Sequence, residues 1–99
     1  MKFGMQAILT AVPNQGHALA KIMLEAASVV ASMKGCERYI VQQSLTDEAK
    51  VLITEVWASQ EDHQASLSNE QVRALIARAK PIIAAMEHHP AQFLGGYGC

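Results

Sequence analysis

A chain of 99 residues, 51% of them hydrophobic and 17% charged, suffices for one domain with a buried core and argues against disorder. Eight basic residues against nine acidic ones, scattered along the chain, lack the clustering that phosphate neutralisation requires, so no nucleic-acid partner is expected. No apolar stretch approaches the roughly 18 residues of a membrane span. Cys36 and Cys99 form no CxxC motif or disulfide framework, which fits a reduced, cytoplasmic setting.

The first residues, "MKFGMQAILTAVPNQGHALA", share a lysine, an apolar run and a small-residue motif with secretory leaders, but Gln6 and Thr10 interrupt the run. Residues 3 to 12 read instead as a strand, closed by the turn formers "PNQG". From His17 to Met33, Leu19, Ile22, Met23, Ala26, Val29 and Val30 recur at steps of three and four, the stripe of an amphipathic helix. Gly35 can end it in the left-handed backbone that glycine tolerates. "CERYIVQQS" and "KVLITEVWA" are β-branched and aromatic runs flanking the turn "LTDEA", a hairpin. Ser59 is placed to cap a short helix through Leu67, and Ser68 with Gln71 matches a capping box for a second. That second helix carries Val72, Leu75, Ile76, Ala79, Ile82, Ile83 and Met86 on one face, with Pro81 expected to kink or split it. A short extended piece, "AQFLGGYG", ends the pattern, its glycines allowing a bend.

Strand, helix, strand, strand, helix, strand is the ferredoxin-like βαββαβ order of an α+β fold, with helices on one face of a four-stranded antiparallel sheet. A bare, partly apolar second sheet face is an association surface, and a homodimer packed sheet to sheet would cover it.

"EVWAS" at 55–59, His63 with "ASL" after it, and "VRALIARAKPII" at 72–83 resemble the antibiotic biosynthesis monooxygenase family over nearly the whole chain. The resemblance implies a dimeric α+β barrel. Some members oxidise quinols or polycyclic aromatics with molecular oxygen and neither metal nor flavin; others degrade haem, and many have no assigned reaction. The haem-degrading branch typically has an asparagine on the first strand and an iron-binding histidine further along the helical region. Here that strand offers Gln6, and the later histidines are His88 and His89.

Strand alternation puts Val51, Ile53, Glu55 and Trp57 on one side. With Ser59 as cap, His63 leans toward the sheet, so Trp57 and His63 meet near the strand's end. An aromatic wall with one imidazole suits a flat, mostly apolar ligand. In such a pocket His63 is the candidate base for deprotonating a phenol or hydroquinone before it meets oxygen, Trp57 a stacking surface, and Glu55, Tyr39 and Tyr97 candidate contacts for its hydroxyls. The helix N-terminus favours the neutral imidazole, whereas Glu61 and Asp62 favour the charged one. Plainer roles compete: Trp57 as core filler, His63 as a surface residue, Glu55 paired across the hairpin with Arg38. No cofactor is expected. Nor is a metal, because His17, His63, His88 and His89 lack ligand spacing and "EHHP" reads as a helix end. A ligand-binding or stress-associated dimer without turnover is the alternative function, and haem degradation a third.

Overall fold

The computed structural model describes residues 2–98. The chain runs β1 (Phe3–Ala11), α1 (Gly16–Val30), β2 (Cys36–Gln43), β3 (Lys50–Trp57), α2 (Gln60–Ser66), α3 (Glu70–Ala79), a single 3-10 turn at Lys80–Ile82, then β4 (Ile83–Gln92). The strands lie in the order β2-β3-β1-β4, every neighbouring pair antiparallel. This is the βαββαβ arrangement read from the sequence.

Period-two alternation assigns the two sheet faces. On β3 the burial pattern alternates strictly, with Val51, Ile53, Glu55 and Trp57 buried toward the helices. Their β1 partners Leu9, Ala7, Met5 and Phe3 share that face. Above them lies the α1 stripe of Leu19, Ile22, Met23 and Ala26, joined by Leu75 and Ala79 of α3. Each large apolar side chain buried there contributes about 1.5–3 kcal/mol. An Arg78–Glu25 ion pair ties the outer surfaces of α3 and α1.

Two expectations about helix ends change. α1 stops at Val30, and Gly35, with φ +82°, makes the turn into β2. A Cβ on Gly35 would lie 2.2 Å from the Asp62 carboxylate, so the missing side chain lets α2 pack against this turn. The second long helix ends at Ala79 rather than reaching Met86. Pro81 has no amide hydrogen for an α-helical bond, so the chain tightens into the 3-10 turn. Ile82 then gives its carbonyl to the Val12 amide, and Ile83 enters the sheet. Ile83, Met86 and "EHHP" are therefore strand residues, and the glycines of "LGGYG" lie past the last strand. The α3 cap also differs: Asn69, not Ser68, accepts hydrogen bonds through its side chain from the Gln71 and Val72 amides.

β4 forms an edge, which is why it tolerates Pro90. Its alternate residues Met86, His88 and Pro90 face the helices opposite Leu9, Ala7 and Met5. Among the described residues no helix covers the other sheet face. Ile8, Ile40, Leu52 and Val56 point that way, and the Phe93 ring folds over Gly4, where a Cβ would come within 2.7 Å of it. Among the described residues no helix is long and apolar enough to cross a membrane.

Candidate active site

Ser59 starts α2 by accepting a hydrogen bond from the Asp62 amide at 3.1 Å, which sets the helical phase. One residue on, His63 turns inward. It is 8% exposed and packs its ring against Phe3, centroids 5.0 Å apart, and edge-on to Trp57 at 5.8 Å. Ser66 fastens the next turn by donating from its hydroxyl to the His63 carbonyl.

His63 opens onto a cavity of about 320 Å³ between sheet and helices. The lining is apolar nearly all round, with Met5, Met23, Ile53, Leu67, Ile76 and Met86 prominent among its side chains. Four ionisable groups interrupt it: Tyr39, Glu55, His63 and His88.

Glu55 sits directly across the β2–β3 ladder from Tyr39. The pairing with Arg38 does not form, because a bulge between Cys36 and Arg38 sets Arg38 opposite Val56, which points to the helix-free face. Instead the Trp57 indole N–H donates to Glu55 Oε1 at 2.9 Å, and His63 Nε2 stands 3.8 Å from that same oxygen. Two residues apart on one strand face, Glu55 and Trp57 are natural partners for such a bond. At 3.8 Å His63 and Glu55 make no hydrogen bond, and the imidazole has none to any other described side chain.

Burial disfavours charge on Glu55, His63 and Tyr39 alike. It pushes the Glu55 carboxyl above its ordinary value, although the indole N–H partly offsets this by favouring the carboxylate. His63 moves the other way: burial, then repulsion from His88, lowers its imidazole below the usual 6.5. The Tyr39 phenol is held protonated by burial and by the neighbouring Glu55. These shifts favour a neutral imidazole at His63 and a protonated phenol at Tyr39, and make the Glu55 carboxyl harder to ionise than a free one.

Not all the residues singled out from the sequence converge here. Tyr39, Glu55 and His63 line the cavity. Trp57 does not: it is 0% exposed, packed with Phe3, Val30 and Val72, so no ring face is free to stack on a ligand. Tyr97 is 107% exposed and borders a separate hollow beside Lys2 and Arg38, because the tail beyond β4 runs clear of the core. Gln6 faces away from the cavity, opposite His89. His88, which the sequence places at a helix end, borders the cavity from β4 together with Met86. The signal that could have found it is the break at Pro81, after which a period of two applies. Among the described residues no three His, Cys, Asp or Glu side chains gather as a metal-ligand set.

Residues 3–78 match the family model for antibiotic biosynthesis monooxygenase. The chain belongs to the antibiotic biosynthesis monooxygenase family. Among solved structures it is similar to a candidate member of that family from Chloroflexus aurantiacus J-10-fl, at 43% identity and TM-score 0.88, covering 99% of this chain and 98% of the other. Fold similarity extends to a candidate family member from Nitrosomonas europaea, with TM-score 0.90 at 12% identity over 98% of this chain and 92% of that one. It extends also to SnoaB of Streptomyces nogalater, a cofactor-independent oxygenase, with TM-score 0.86 at 10% identity over 98% and 97% of the two chains. No curated protein matches the chain. Family membership thus supports a monooxygenase domain, and the cavity beside His63 is its candidate site.

Proposed function

We propose that this protein oxidises a small hydroquinone or related phenolic aromatic with molecular oxygen, without metal or organic cofactor, and that His63 is the base. The observation that carries this reading is an imidazole with no hydrogen-bond partner among the described residues, kept neutral by its surroundings, at the wall of an apolar cavity of about 320 Å³. That volume falls at the small end of ligand pockets, suited to one or two fused rings. A neutral imidazole accepts the proton of a substrate hydroxyl, and the resulting anion gives up electrons to oxygen far more readily than the neutral phenol. Apolar walls suit dioxygen and exclude the water that would stabilise the anion and slow its oxidation. Tyr39, held protonated, can donate a hydrogen bond to a second substrate oxygen. The cofactor-independent oxygenase SnoaB, of the same fold, supports the reaction type by analogy alone.

The active form in this reading is a homodimer joined through the helix-free sheet face. Ile8, Ile40, Leu52 and Val56 supply its apolar centre, with Ile40 46% exposed in the single chain. Sedimentation equilibrium tests it directly, and a monomer at micromolar concentration would refute it.

Oxygen uptake with a panel of hydroquinones tests the function. A turnover that falls by about 10²–10⁴-fold in His63→Ala is expected; turnover unchanged in that variant overturns the base assignment. Thermal stabilisation by hydroquinones with no oxygen consumed would replace the enzyme with a ligand-binding protein.

A further inference from the structure

Trp57 and Glu55 form a unit whose position exceeds what packing requires. A fully buried indole could satisfy its N–H on a backbone carbonyl, yet it holds a carboxyl that lines the cavity. The bond fixes Oε1 at 2.9 Å from the indole, and leaves the imidazole of His63 at 3.8 Å from that oxygen. Burying a carboxyl in an apolar wall costs stability unless its oxygens are hydrogen-bonded, and the indole N–H is the one side-chain donor to Glu55 among the described residues. Leucine would fill the site more cheaply.

We propose that Glu55 is a second catalytic residue, the general acid of the oxygenation, and that Trp57 is a positioning residue acting through it. This role rests on the oxygenase reading above. Transfer of electrons from the deprotonated hydroquinone to oxygen, and combination at the ring, gives a carbon-bound peroxide, which the imidazolium of His63 protonates. His63, neutral again, then removes the hydrogen from the carbon that carries the hydroperoxide. That electron pair forms the new C=O bond as the O–O bond breaks, and the departing hydroxide takes the Glu55 proton and leaves as water. The imidazolium finally returns its proton to the Glu55 carboxylate. Hydroquinone plus O₂ thus gives hydroxyquinone plus H₂O. Four electrons pass from substrate to oxygen, and no external reductant enters.

Hydroxide is a poor leaving group, so a proton delivered as the O–O bond breaks is where a fixed acid helps most. The groups facing Glu55 are Cys36 and Tyr39 from β2, Met5 from β1, His63 from α2, and His88 across the cavity on β4. None of them is a permanent cation that would hold the carboxylate ionised. With His63 neutral and Glu55 protonated, activity has an acid limb set by the imidazole and an alkaline limb set by the carboxyl. Both limbs belong to the coupled pair.

The test combines infrared spectroscopy with kinetics on the intact protein. At neutral pH a protonated carboxyl band is expected that is absent from Glu55→Gln. That variant should bind a hydroquinone anaerobically as the unaltered protein does, lose about 100-fold in kcat, and lose the alkaline limb. Trp57→Phe, checked for folding by circular dichroism, removes the donor that favours the carboxylate, so the alkaline limb should move to higher pH while kcat falls by about tenfold. A carboxylate spectrum for Glu55 at neutral pH, or Glu55→Gln with kcat and alkaline limb unchanged, overturns the proposal. Absence of oxygen uptake by the unaltered protein removes the oxygenase reading and this role with it; uptake that survives Glu55→Gln undiminished removes this role alone.

Discussion

Substituting Trp57 by phenylalanine strips the N–H from Glu55 and keeps most of the ring. Glu55 Oε1, buried and 2.9 Å from that N–H, is then left without its donor. A buried acceptor without a partner costs about 1–3 kcal/mol. The smaller ring also leaves a void of roughly 40 Å³, which at about 24 cal/mol per Å³ adds about 1 kcal/mol. The total of about 2–4 kcal/mol corresponds, at 4–8 °C per kcal/mol for a domain of this size, to a fall in melting temperature of at least about 8 °C. Glu55→Leu provides the second arm of a double-mutant cycle. Removing both polar partners abolishes the orphan each single change creates, so the double variant should be about 1–3 kcal/mol more stable than the sum of the singles. Urea titration at fixed protomer concentration reads the cycle and removes any contribution from self-association. Additivity within about 0.5 kcal/mol would mean the indole does not hold the carboxyl, and the reasoning about both residues would fail.

On the acid side, oxygen uptake should be lost as pH falls through the depressed His63 value, since protonation removes the base. His88→Gln removes the repulsion that helps depress His63, so the acid limb in a pH–rate profile should move up toward 6.5. Met86→Trp at the cavity mouth should weaken binding of a hydroquinone at least about tenfold by calorimetry, while stability shifts by no more than about 0.5 kcal/mol because Met86 is 53% exposed. Gly35→Ala, at φ +82° with the Asp62 carboxylate in the way, should cost at least about 1–2 kcal/mol in urea titration and lower turnover by displacing α2 and His63.

Where local periodicity and packing agree, the sequence is legible. Alternation from Val51 to Trp57 assigns the faces of β3, and Ser59 assigns the phase of α2, so Glu55, Trp57 and His63 can be placed near one another before any coordinates exist. The end of α3 is not legible in the same way. Ile82, Ile83 and Met86 continue a helical spacing, and nothing local in "AAMEHHPAQ" has strong strand propensity; that segment becomes a strand because β1 offers it a full ladder of hydrogen bonds. The error hides His88 and Met86 from any cavity drawn from sequence. Which way an indole turns within a core is likewise a tertiary outcome. Trp57 and Glu55 share a strand face, but only the crowding of Phe3, Val30 and Val72 turns the ring away from the cavity and its N–H onto the carboxyl. Tyr97 illustrates the opposite limit: past Phe93 neither pattern nor packing fixes the chain against the core, and a residue chosen for its chemistry lies outside the cavity.

Proton removal by His63 can be watched without turnover. A ring-nitrated catechol changes colour on ionisation, so an anaerobic optical titration reports the protonation state of the bound ligand. The unaltered protein should bind it in the ionised form at a pH where the free compound is still neutral, and His63→Ala should bind the neutral form. Identical spectra for the two proteins would contradict the assignment of His63 as the base.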